Sequence, residues 1–192
     1  MNWGNHHMTL LGIHEGHNAA VCVLKEENDH IELLSFEAER IDRIKYSIWC
    51  DRYTGDTFSN VEKRKWIVEH TKELTELIQH ALTESDTSIE NIDDIICTQG
   101  TDYNRLPDWI IEKGYSEASH HLSHAASSYY SSDFSDALII VCDGVGDAFD
   151  DGWEVQSVWR GIDDNIYHLF STRKKSRFDM GIGNTYQLVT YF

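Results

Sequence analysis

Basic residues are scarce in this 192-residue chain. Sixteen Lys+Arg stand against thirty-three Asp+Glu, a formal charge of −17 at pH 7 with histidine neutral. So negative a surface repels phosphate backbones and anionic lipid, which excludes general nucleic-acid or membrane-surface binding. An anionic small molecule fits only where the few basic residues cluster. No apolar run approaches the ~18 residues of a membrane span, and Met1–His7 lacks the basic and apolar regions of a signal peptide. No CxxC spacing joins Cys22, Cys50, Cys97 and Cys142, which speaks against a zinc ribbon or a disulfide framework. Cys22, Cys97 and Cys142 stand in apolar runs, which predicts small core thiols and a cytoplasmic setting.

What is present is the composition of a soluble globular chain, 41% hydrophobic and 26% charged, enough for one good core or two small ones. Thr9–Ile13, Ala19–Leu24 and Ile31–Ala38 are short β-type runs joined by polar turns, a meander. Tyr46–Phe58 is aromatic and irregular, a loop. Ser59-Asn60-Val61-Glu62 is a capping box, and Ile67, Leu74, Leu77, Ile78, Ala81 and Leu82 behind it predict a helix over 62–84. A strand at Ile92–Thr98, a helix at His120–Tyr130 and a buried strand at Ala137–Val141 follow.

The order β-β-β-α-β-α predicts an α/β fold, one RNase H-like lobe of the kind found in actin and the sugar kinases. The lobe then starts again. Leu138–Cys142 leads into Asp143–Asp147 as Leu10–Ile13 leads into His14–Asn18, with Trp153–Trp159 and Ile166–Ser171 as the next strands and a helix from Gly183. The expected organisation is a flexible N-terminus over 1–8, a first lobe over 9–133, and the start of a second, truncated lobe over 134–192.

On a helix His120 and His124 lie one turn apart on one face, suited to one metal ion, whereas His121 points about 100° away. A histidine-rich helix start acting as cap and core filler is the plainer alternative. Asp143 ends a predicted buried strand, where a carboxylate needs a cation or several N–H groups. Gly144 and Gly146 behind it can bring backbone N–H groups close to a phosphate, although Asp-Gly alone is more often a hairpin turn. His17, in the first strand–strand turn, suits proton removal from a hydroxyl near neutral pH or is simply a turn residue; His14 is its weaker competitor. Arg40, Arg43 and Lys45 form one basic cluster able to hold an anion. Arg173, Lys174, Lys175 and Arg177 form a second, read as a solvated surface run.

Taken together, HHLSHAASSYYSSDF followed by ALIIVCDGVGD resembles the signature of the NodU/CmcH O-carbamoyltransferases. LGIHEGHNAAVCVL, FEAERIDRIKY and MGIGNTYQLVT agree in the same order, so the resemblance spans most of the chain. It implies an actin-like lobe pair followed by a YrdC-like domain that makes carbamoyl-adenylate from ATP and carbamoyl phosphate. The carbamoyl group then passes to a hydroxyl of a small-molecule or saccharide acceptor. It further implies His120, His124 and Asp143 as ligands of a divalent metal, iron first. Gly144, Val145, Gly146 and Asp147 would face the adenylate phosphate, His17 would be the base, and Arg40, Arg43 and Lys45 would bind substrate. Asn18 stands where the family pattern has aspartate, and Tyr46 where a histidine often follows the lysine.

Two further readings stand beside this one. The chain fits another ATP-dependent member of the same fold, a small-molecule kinase or a threonylcarbamoyl-transferase relative, although a kinase more naturally holds magnesium through carboxylates and water. It also fits a non-catalytic interaction module whose exposed apolar terminus (Leu188, Val189, Tyr191, Phe192) favours a homo-oligomer.

Overall fold

The computed structural model describes residues 7–16, 19–28, 30–43, 60–98, 103–175 and 181–190. The chain divides into two compact units, Met1–Glu117 and Ala118–Phe192.

The first unit opens with the expected meander, β1 (His7–His14), β2 (Ala20–Glu27) and β3 (His30–Glu37), antiparallel throughout. A short helix α1 (Ala38–Asp42) and the long α2 (Asn60–Glu84) precede β4 (Asp94–Thr98), which pairs parallel to β1. The short α3 (Asp108–Lys113) leads to β5 (Ser116–Ala118), and the sheet order is β3-β2-β1-β4-β5. That order, with β2 antiparallel to its neighbours and β4 parallel to β1, is the RNase H-like lobe. The sheet buries Leu11, Ile13, Val21, Val23, Ile95 and Cys97 in one core with Leu74, Leu77, Ile78, Ala81 and Leu82 of α2. The i, i+3, i+4 spacing read from the sequence is thus the buried stripe of α2.

The second unit starts with α4 (His120–Tyr130), then β6 (Asp136–Cys142), a two-residue arm β7 (Ala148–Phe149), β8 (Gly152–Ile162), β9 (Asn165–Lys174) and α5 (Ile182–Thr190). β6, β8 and β9 pair antiparallel as β1, β2 and β3 do, so the restart of the lobe is seen in the strands themselves. Sequence placed α4 at the end of the first lobe. In the structure its Ala125 and Tyr129 are buried against Ile139, Val141 and Trp159 of the second sheet, within the compact unit that begins at Ala118. β7 and the short elements α1, α3 and β5 lack a periodic signal of their own.

Of the three cysteines expected in the core, Cys97 is buried, Cys22 is half-buried and Cys142 is exposed. Cys142 is a correction to the sequence reading: β6 alternates, and Leu138, Ile140 and Cys142 occupy the face opposite α4. No helix of the described residues is long and apolar enough to cross a membrane.

Candidate metal centre

The N-terminus of α4 is capped twice. Ser119 is the N-cap and its side chain accepts the Leu122 N–H, while the Asp147 carboxylate accepts the His120 N–H at 3.0 and 3.2 Å. With the helix start fixed, His120 and His124 share a face and their Nε2 atoms lie 3.1 Å apart. Asp143, just beyond β6, is held by its own N–H donating to Val155 O and by its Oδ1 accepting the Gly144 N–H at 2.6 Å. Its Oδ2 then stands 2.6 Å from His120 Nε2 and 3.8 Å from His124 Nε2.

These three donor atoms lie within 4.8 Å of one another. A ring nitrogen carries either one proton or one lone pair, so His120 Nε2 cannot serve both Asp143 and His124 at full strength. One shared cation resolves that crowding. Donors bound at ~2.0–2.2 Å around one ion stand roughly 3–3.4 Å from each other, and the observed 2.6, 3.1 and 3.8 Å bracket that spacing. The residues fit a divalent ion with two imidazoles and one carboxylate.

The electrostatics agree. The hydrogen bond that His120 donates to the Asp143 carboxylate raises the His120 pKa above the ordinary imidazole value, against burial. Burial, then the neighbouring His120, lowers that of His124. For Asp143 burial pushes upward, but the hydrogen bonds from His120 and the Gly144 N–H outweigh it and hold the carboxyl at about 2.

The remaining predicted residues fall differently. Gly144 N–H is taken by Asp143, Gly146 N–H donates to Glu154 O at 2.7 Å, and Asp147 caps α4, while Val145 is exposed. The turn is therefore knitted into the centre by its own hydrogen bonds. Arg40 pairs with Glu37 on the surface, and Arg43 ends α1 in the left-handed conformation. His17 and Lys45, like the predicted loop over 46–58, lie outside the described residues. His14 contacts Thr98 Oγ1 through Nδ1 at 3.1 Å, and Glu15 beside it forms a buried 2.7 Å ion pair with Arg105.

Sequence reasoning passed over several supports. Lys174, read as part of a solvated run, is buried and its Nζ donates to Gly144 O at 2.9 Å, so a cation stands beside the turn. No periodic signal marks it, because two register shifts interrupt the pairing of β8 with β9 and break the alternation along the strand. Gly183 at the start of α5 passes so close to the Asp143 and Gly144 backbone that a Cβ would sit 2.7–2.8 Å from it.

No family model matches the chain, and no curated protein matches it. Among solved structures it is similar to YeaZ from Pseudomonas aeruginosa, with 11% identity and a TM-score of 0.48, over 90% of this chain and 71% of that one. It is also similar to an uncharacterized Pseudomonas aeruginosa protein described as resembling peptidase YEAZ, with 14% identity and a TM-score of 0.48. That alignment covers 85% of this chain and 64% of the other.

Proposed function

We propose that this chain carries the metal centre of an ATP-dependent carbamoyl-group transferase of the actin-like fold, with O-carbamoyl transfer to a small-molecule or saccharide hydroxyl as the first reading. The convergence of His120, His124 and Asp143 carries the proposal, because it joins the residues that the sequence resemblance assigns to a metal. When bound, a divalent ion supplies a Lewis acid that offsets charge on a phosphate oxygen.

The chain's own residues supply the rest. His120, His124 and Asp143 hold the ion, and the low carboxyl pKa keeps Asp143 anionic throughout the neutral range. Lys174 adds a buried ammonium beside the Gly144 carbonyl, a second positive charge for an anionic leaving group. His17 is assigned to take the proton of the acceptor hydroxyl, whose oxygen attacks the carbamoyl carbon as the bond from that carbon to the adenylate oxygen breaks. Arg40, Arg43 and Lys45 are assigned to substrate binding. Carbamoyl phosphate, ATP and a YrdC-like domain complete the proposed reaction, and these lie with the whole protein.

Asn18 and Tyr46 depart from the pattern of the first family, and a second reading is a threonylcarbamoyl-transferase relative of the same fold. Both readings require the centre and differ in acceptor.

Elemental analysis of protein purified without added metal or a histidine tag tests the shared premise. Near-stoichiometric iron, zinc or manganese is expected, and its loss in His120→Ala and Asp143→Asn. A wild type that takes up none of these ions from solution overturns the proposal. A metal-loaded full-length protein that carbamoylates a saccharide hydroxyl supports the first reading. Transfer only to a threonylcarbamoyl acceptor supports the second.

A further inference from the structure

His121 is the histidine of this cluster that the centre does not use. Its side chain is fully buried although its neighbour His120 reaches the donor cluster. A buried imidazole needs hydrogen bonds. Its Nδ1 lies 2.8 Å from Ser157 Oγ and 3.4 Å from Glu154 Oε2, and Ser157 Oγ in turn accepts the Trp159 Nε1–H at 2.7 Å. The far edge of the ring is different. Nε2 is buried with no hydrogen-bond partner among the described residues, and a Cβ built on Gly146 would lie 2.6 Å from both Nε2 and Cδ2.

We infer that His121 and Gly146 form a latch that sets the separation between the α4 histidines and the Asp143 carboxylate, which makes His121 a positioning residue of the proposed metal centre; the inference rests on that reading of the centre. The ring is one residue from His120 along α4. Gly146 is three residues from Asp143 along the turn. β8 holds both partners, because the Glu154 carbonyl takes the Gly146 N–H while its carboxylate stands beside the imidazole. Moving the ring away from Gly146, or the turn away from the ring, therefore shifts one side of the donor set against the other. Interiors packed this closely shift when a methyl group is added. The absent side chain at position 146, which the sequence suggests as room for a phosphate, is the space the imidazole occupies.

The test is a double-mutant cycle read by calorimetric titration with Zn²⁺ and by the visible spectrum of the Co²⁺-loaded protein, whose intensity reports coordination geometry. Gly146→Ala is expected to weaken Zn²⁺ binding by about tenfold or more, as changes around metal ligands do, and to alter the Co²⁺ spectrum. His121→Asn retains a polar atom near the Nδ1 position and removes the far edge of the ring. Loss of that edge frees the turn, so His121→Asn is also expected to weaken Zn²⁺ binding by about tenfold, and Gly146→Ala added to it to cost little more. A Gly146→Ala protein that binds Zn²⁺ like wild type overturns the latch, as does a loss carried undiminished into the double variant. If the wild type takes up no Zn²⁺, the centre itself fails. Melting temperatures still decide the latch in that case: Gly146→Ala destabilises only where His121 is present, and additive changes overturn it.

Discussion

Asp143 keeps its charge against burial, and its partner His120 keeps a proton above the ordinary imidazole range. For the metal-free protein the signs follow from linkage. The raised His120 pKa contributes stability that is full below its ordinary 6.5 and fades as pH rises through the folded value. The lowered Asp143 pKa contributes stability that is full above its ordinary 3.8 and fades as pH falls toward about 2. The melting-temperature deficit of His120→Gln should thus be largest at about pH 4–6.5 and shrink by about pH 9, and a flat deficit contradicts the pairing. A bound metal must displace that proton, so Zn²⁺ affinity should fall as pH drops from about 8 to about 6. The same titration with His120→Gln should show a shallower fall. Among the thiols, burial pushes Cys97 up to about 12, whereas Cys142 is exposed. Alkylation followed by mass spectrometry should therefore label Cys142 well before Cys97. An apolar run alone could not separate these two cysteines, because the sequence of β6 does not say that its outer face goes uncovered.

At the scale of elements, α4 was legible to its bounds, since the His120/His124 spacing and the apolar positions behind it both fit a helix over His120–Tyr130. The sheet it covers was not. Only the burial of Ala125 and Tyr129 against Ile139, Val141 and Trp159 decides that, and a short helix with two apolar anchors fits either lobe. The role of Gly146 was hidden for a similar reason: the imidazole that fills its space comes from 25 residues earlier in the chain. Strands β1, β2, β3, β6, β8 and β9 were all readable from apolar runs, whereas β7 has too few residues to carry a period. The double cap of α4 sets a prediction. Ser119→Ala removes the acceptor of the Leu122 N–H and should cost about 0.5–2 kcal/mol, measured by chemical denaturation. Because the Asp147 carboxylate still holds the His120 N–H, Zn²⁺ affinity should fall less than in Asp147→Ala. The reverse order would show that the hydroxyl, not the carboxylate, governs the first turn.

Across the whole molecule, the second sheet leaves a row of apolar side chains in water. Ile140, Val158 and Phe170 are register partners across three strands on the face opposite α4, and Ile140 and Phe170 are 64% and 56% exposed. A contiguous apolar patch of this kind favours association, while the charge of −17 opposes it and is screened by salt. Sedimentation at several concentrations should show self-association that grows with ionic strength and is weakened by Ile140→Lys. A strict monomer in high salt would dispose of this expectation. The charge could be counted from the sequence; the exposure of the row could not, since it depends on what covers the sheet.

The two units repeat one meander, yet the three donors of the candidate metal centre found among the described residues all belong to the second. If the chain arose by duplication of a single ancestral lobe, its two copies have since been under unequal selection. In the later copy, Gly183 packs on the Asp143 and Gly144 backbone and Gly146 on the His121 ring, each too closely to gain a side chain on its own. In the earlier copy the equivalent turn opens at His14 and supplies no donor to the candidate metal centre among the described residues. It is the half in which residues can change without removing a donor of that candidate centre.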